Sequence, residues 1–422
     1  MLDRSQPPKF IIPEDFSLIQ PEQFQLSSGA KVFHIHTPAV EAVKIDFIGK
    51  GTRSSLPLDQ ALIPGFTLQL LSEGTATKSG NEIAHFFDFH ASEIQPIVTF
   101  GHEGFSLIST KKHLFKVLPL VLEIVHEAIF PTEILEKRKS QRKLAIQLER
   151  EKTASRASQL FRKALFGEGH PYGVEIGENM LQEVTSNRLH YQSQNLLWQD
   201  LEIFISGNFT EIELSQLLNS LEGFPVRPAL ESVLLPDVSS EYVVHEERPN
   251  SVQSSIRVGK FSIPKNHPDF ISLSVFNSIL GGYFGSRLIK NIREDKGHTY
   301  GIYSSLAQIG SMNYWVVAAD VEKKYLETVT SEIQKEIQLL CEEAVSKEEL
   351  ELVRNYLMGQ MLSQFSNAFD LMDRFRAVYH ADLNLDFYQR KLNFIKKFTQ
   401  EDVLQVGEKY FKNQELFIVS VG

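Results

Sequence analysis

Residues 291–301, Asn-Ile-Arg-Glu-Asp-Lys-Gly-His-Thr-Tyr-Gly, set Arg293 and Tyr300 seven positions apart across a charged turn. Leu288, Ile289 and Ile292 just before them make an apolar helical stripe, and Gly297 is placed to end that helix. The following His-Thr-Tyr-Gly-Ile-Tyr-Ser-Ser-Leu resumes as a strand. An arginine in a last helical turn and a tyrosine opening the next strand can converge on one pocket and face a substrate. The competing reading is a helix terminus capped by charge.

Other candidates are weaker. His85 and Asp88 of His-Phe-Phe-Asp-Phe-His share a helix face, but His90 points about 140° away from His85, so the three do not make a zinc site. His34 and His36 fall on one face of a strand without an evident third ligand. His102 beside Glu103, and His170 in Gly-His-Pro-Tyr-Gly, read as turn or strand-edge residues. A single cysteine, Cys341, excludes an intrachain disulfide framework and reads as a small buried residue. No nucleophile elbow, Walker loop or dinucleotide fingerprint occurs in a fitting context. The Gly-Gly-Tyr-Phe-Gly-Ser run lacks the lysine spacing of a phosphate loop and reads as a tight turn with close backbone packing.

The elements that must position these residues come in two similar sets. The chain has 422 residues, 42% apolar, enough for substantial cores. In each half an alternating strand leads to an apolar helical stretch, and a later strand ends in a Lys-Lys pair that opens an amphipathic helix. Those pairs are Lys111, Lys112 and Lys323, Lys324. A long charged helix follows in each half, and a closing apolar strand ends at Gly207 or Gly422. The fold expected is α+β: two homologous domains, each a mostly antiparallel sheet with helices packed on one face. Residues 1–222 form the first, 223–240 a linker and 241–422 the second.

With these elements placed, Leu-Gly-Gly-Tyr-Phe-Gly-Ser-Arg-Leu-Ile-Lys-Asn-Ile-Arg-Glu-Asp-Lys-Gly-His-Thr-Tyr-Gly-Ile-Tyr-Ser-Ser resembles the second-half signature of the pitrilysin/insulinase family of zinc peptidases, the inverted zincins. The resemblance covers nearly the whole chain and implies the clamshell-half architecture of the processing peptidases. It implies that Arg293 and Tyr300 bind the substrate backbone and steady the carbonyl oxygen in the transition state. The family's HxxEH falls, counting back from Gly74-Thr75, on residues 65–69. There Gly65 stands for the first histidine, Leu68 for the general base and Gln69 for the second histidine; about 76 residues on, Ala145 stands for the third ligand. The nearest acid is Glu149, and one carboxylate does not hold zinc.

The resemblance therefore implies a zinc-free subunit of a heterodimeric metallopeptidase. Its partner would be a homologous HxxEH-bearing chain that carries the zinc, while this chain binds no cofactor. The substrate would be a peptide or unfolded segment, added as an extra strand to a sheet edge. A catalytically inactive structural or peptide-binding protein on the same fold is the alternative; a third reading is a solitary metallopeptidase drawing ligands from the scattered histidines. The net charge of −10 argues against nucleic acid and anionic membranes as partners. The opening residues contain no apolar core of signal-peptide length, so a cytoplasmic location is expected, with a periplasmic one left open.

Overall fold

The structure is a computed structural model that describes residues 18–230, 234–365, 367 and 369–422. The opening 17 residues, on which the reading of the leader rests, and residues 231–233 of the linker lie outside the described residues.

Six strands build the first sheet: β1 (Glu22–Gln25), β2 (Lys31–His36), β3 (Ala42–Lys50), β4 (Glu93–Val98), β5 (His102–Thr110) and β6 (Gln199–Gly207). Their order is β1-β2-β6-β3-β5-β4, parallel only between β2 and β6. The second sheet contains β7 (Val243–Glu246), β8 (Gln253–Phe261), β9 (Thr299–Ile309), β10 (Met312–Glu322) and β11 (Phe417–Val421). It runs β7-β11-β8-β10-β9, with β7–β11 the parallel pair. In both sheets the closing strand of the half returns to the middle, which ties the ends of each half together.

The helices are α1 (Ile63–Leu70), α2 (Gly80–Phe89), α3 (Lys111–Glu127), α4 (Thr132–Glu151), α5 (Thr153–Phe166), α6 (Ser186–Tyr191) and α7 (Glu211–Leu221) in the first half. The second half has α8 (Phe270–Asn277), α9 (Leu326–Glu342), α10 (Lys347–Ser363), α11 (Asp370–Tyr379), α12 (Asp386–Lys397) and α13 (Gln400–Tyr410). Helical spacing puts Leu114, Val117, Val121 and Ile124 of α3 onto one side, against Ile45, Phe47, Ile203 and Ile205 of the first sheet. The equivalent stripe on α9 is Val329, Ile333, Ile337 and Leu340, in the core formed with Ile256, Val258 and Val317. Among the described residues no helix is long and apolar enough to cross a membrane.

Each sheet thus carries its own helices on one face, and the opposite face is covered by a helix from the other half. Helix α11 lays Phe375 and Tyr379 against Phe33 and Phe204 on the back of the first sheet. Helix α5 lays Phe161, Leu165 and Phe166 against Val316, Phe417 and Val419 of the second. The exchange also carries charge. Asp46, 1% exposed in the middle of β3, is paired with Arg376 of α11, and Lys44 bridges Asp46 at 3.5 Å and Asp373 at 2.8 Å. On the other side Arg257 of β8 donates to Ser158 and to the Ala154 carbonyl of α5 at 3.1 and 3.0 Å.

Candidate functional site

Arg293 lies in a wide, π-helical turn spanning Ile289–Asp295, in which the Lys296 amide reaches back to the Asn291 carbonyl at 3.2 Å. Gly297, at φ +63°, reverses the chain into β9. Such turns arise where an extra residue locally widens and underwinds a helix, and they recur at functional sites. The turn buries Ile289 and Ile292, while Arg293 is half-buried. Its guanidinium sits 4.9 Å from the centre of the Phe284 ring, in the glycine-rich loop. That loop can approach β9 closely because Gly281 has no side chain: a Cβ there would lie 2.8 Å from the Ser304 amide nitrogen. A buried brace fixes the spacing, with Asn277 donating to the Ser304 carbonyl at 3.2 Å and accepting from the Trp315 indole at 2.9 Å.

Tyr300 sits in a β-bulge. The register passes from Ala319 opposite Ile302 to Val321 opposite Thr299, so Tyr300 and Gly301 together oppose Asp320. The Thr299 hydroxyl holds the bulge, lying 2.7 Å from the Asp320 carbonyl and accepting from the Gly301 amide at 3.1 Å. A bulge re-aims side chains out of the regular alternation. Tyr300 is 90% exposed, Tyr303 56% and Phe284 63%. Because β9 is the edge of its sheet, its outer backbone is open as well. The exposed tyrosines of β9 and the Arg293–Phe284 pair before it are residue types enriched in interface hot spots.

Tyr300 is remote from the positions that the resemblance assigns to a metal. Ten residue steps along β9 lead from Tyr300 to Gly310 just past its end, about 33 Å of extended strand. Gly310 is the end that touches the first half, backing onto Gly101 in the β4–β5 turn, where a Cβ would lie 3.2 Å from its Cα. On the first-half side of that turn, Gly65 and Gln69 of α1 line a pocket of about 210 Å³ together with Arg53, Phe100, Glu103 and Arg142. Leu68 points into the first core, 4% exposed. Ala145 is half-buried on α4, on the same face as Arg142 and Glu149, which pair with each other at 2.8 Å.

The donor set does not fit zinc. Glycine, leucine and alanine offer no ligand atom, glutamine offers one neutral amide, and two guanidinium groups repel a cation. Glu103 adds a single carboxylate to that lining, too few ligands to hold zinc. Burial pushes its carboxyl up to about 7, with Thr52 donating to it at 3.1 Å and Gln192 at 3.3 Å. Among the described residues no group of three His, Cys, Asp or Glu side chains could hold a metal ion.

The other histidines are engaged separately. His34 contacts Glu22 and the Gly207 carbonyl, each at 3.2 Å, and His36 is exposed beside it. His85 and Asp88 lie exposed on α2, and His90 closes that helix with Nδ1 2.8 Å from the Phe86 carbonyl. His170 is buried and accepts from the Tyr172 amide. His102 stacks on His380 at 3.9 Å, and His380 meets Glu202 at 2.8 Å. Cys341 is buried, its thiol pushed up to about 11 by burial. Sequence spacing alone does not reveal the bulge at Asp320 or the His102–His380 stack, since each joins separate elements, nor the Phe284 platform, which depends on how the glycine-rich loop folds back onto the turn.

Residues 189–357, which include both Arg293 and Tyr300, match the family profile described as the peptidase M16 inactive domain. The chain is similar to the uncharacterized zinc protease YmxG of Bacillus subtilis, 21% identical over 357 residues covering 84% of this chain and 86% of that protein. It is also similar to the non-peptidase homolog YmxG of Helicobacter pylori, 23% identical over 351 residues, 79% of this chain and 78% of that one. The solved structure of a peptidase M16 inactive domain from Pseudomonas fluorescens matches with a TM-score of 0.85 at 22% identity, covering 96% of this chain and 98% of the other. At that identity the structural likeness speaks for a shared fold of two sheet-and-helix domains.

Proposed function

Because this chain belongs to the pitrilysin/insulinase peptidases, the M16 family, we propose that it is the zinc-free subunit of a two-chain peptidase and works on a site carried by its partner. The partner is a homologous chain that keeps HxxEH and the metal. Arg293 and Tyr300 reach across the interface, where the guanidinium and the phenol donate hydrogen bonds to a peptide carbonyl oxygen as charge develops on it. The substrate is an extended peptide or unfolded segment.

The observation that carries this reading is the pair's isolation from its own first half. Arg293 rests on Phe284 with no ion pair among the described residues, Tyr300 projects from a bulge, and about 33 Å of strand lies between Tyr300 and the end of β9 nearest the α1 pocket. A side chain kept exposed by a specific backbone irregularity is positioned for something outside the chain. The α1 pocket, lined by guanidinium groups, offers no metal chemistry for the pair to assist.

The test is reconstitution. The purified chain is assayed alone and mixed with an HxxEH-bearing homologue, with zinc content and cleavage of a peptide library as readouts. The expected result is no stoichiometric zinc and no cleavage alone, and cleavage on mixing. Stoichiometric zinc with cleavage by the isolated chain would overturn the reading. Association without cleavage would point instead to a non-catalytic peptide-binding protein on this fold.

A further inference from the structure

At the junction of the two halves, between the end of α4, the start of α5, the β4–β5 turn and β8, lies a cleft of about 540 Å³. Six arginines line it: Arg53, Arg142, Arg150, Arg156, Arg162 and Arg257. In a chain of net charge −10 such a concentration of guanidinium groups is local and does not reflect the overall balance.

Four of the six have carboxylate neighbours. Arg142 meets Glu149 at 2.8 Å, Arg150 meets Glu175 at 3.1 Å, and Arg156 meets Glu175 at 2.8 Å and Glu246 at 2.7 Å. Arg257 lies 3.9 Å from Asp320 and is held by backbone and serine oxygens. Arg53 and Arg162 have no carboxylate within ion-pair distance among the described residues. Arg53 stacks on Phe100, 4.1 Å from the ring centre. Arg162 donates one hydrogen bond, to Gln159 at 2.8 Å. The Nε atoms of both are shielded from solvent and have no acceptor. Burial, with Arg162 nearby, pushes Arg53 down to about 10; burial lowers Arg162 as well.

An unpaired, desolvated guanidinium is costly, and two in one cleft are costlier because they repel. Planar forks with free N–H groups are also what bidentate recognition of oxyanions uses. We propose that the cleft binds a small multiply charged oxyanion, carrying phosphate or clustered carboxylate groups with at least two negative charges, between Arg53 and Arg162. The size suits it, since small-ligand sites run from about 300 to 1,000 Å³. The cleft adjoins the α1 pocket through Arg53, Phe100 and Arg142, so ligand and pocket share a wall. This site is independent of the Arg293–Tyr300 reading, and either can fail without the other.

The test is titration calorimetry of the full chain with pyrophosphate and, separately, with citrate, at physiological ionic strength. Saturable binding of one molecule per chain is expected for at least one of them; pyrophosphate alone assigns phosphate chemistry, citrate alone carboxylate chemistry. The double variant Arg53→Gln, Arg162→Gln should lose about tenfold or more in affinity. Arg150→Gln, at a position already matched by Glu175, should lose less. Without ligand, the double variant should melt above the wild type, because two unpaired charges are gone; that readout also shows it folds. No binding of either compound at millimolar concentration, or equal binding by the double variant, would overturn the proposal.

Discussion

Replacing Glu103 by Gln should change how stability depends on pH. Glu103 is 1% exposed beside the α1 pocket, and burial raises its carboxyl from 4.5 to about 7. Between those values the folded protein keeps a proton that the unfolded chain has released, so this group makes stability fall as pH rises through the window. A gap of about 2.5 pH units corresponds to about 3 kcal/mol, fully lost above pH 7. His102 works in the opposite direction. Burial first and His380 second push it from 6.5 down to about 4. The unfolded chain then holds the extra proton between those values, and stability rises with pH. In the wild type the two slopes oppose each other between about pH 4.5 and 6.5, leaving a shallow profile. Glu103→Gln keeps a polar group for Thr52 and Gln192 and removes the falling slope. The difference in unfolding free energy between variant and wild type should therefore move in the variant's favour by about 2 to 3 kcal/mol from pH 5 to pH 8. Urea denaturation at both pH values measures it. A difference that stays constant would refute the neutral, buried state of this carboxyl.

Other perturbations test the parts that hold the site. Arg376→Met removes the main partner of buried Asp46 between the first sheet and α11, and should lower unfolding free energy by about 3 kcal/mol in urea melts. A loss under about 1 kcal/mol would mean that Lys44 alone suffices there. Asn277→Ala strands the Trp315 indole N–H and the Ser304 carbonyl, with an expected cost of about 2 to 3 kcal/mol by the same assay. Thr299→Val loosens the bulge for about 1 kcal/mol in stability. In the reconstituted pair it should lower turnover while leaving the association constant unchanged.

The duplicated order of strands and helices is legible because local periodicity carries it: alternation in β3 and β8, and three-to-four spacing in α3 and α9. That Arg293 stays out of the core follows from Ile289 and Ile292 filling the inner face of its turn, which the apolar stripe already indicates. The exchange of α5 and α11 between halves is not local. Phe161 and Phe375 look like ordinary helical core residues, and nothing in their own segments says which sheet they cover. The bulge at Tyr300 depends on which residue of β10 faces it, a register between strands. The arginine cleft depends on four separate elements, and the unmatched state of Arg53 and Arg162 appears only once the carboxylates near their four neighbours have been assigned.

In the proposed function, Arg293 and Tyr300 serve a metal site on another chain. Steady-state cleavage by the mixed chains, with Arg293→Ala or Tyr300→Phe introduced into this one, tests it most directly. Loss of an oxyanion donor predicts a fall in kcat of about a hundredfold to a thousandfold, with the two chains still associating. Full cleavage by both variants would contradict it.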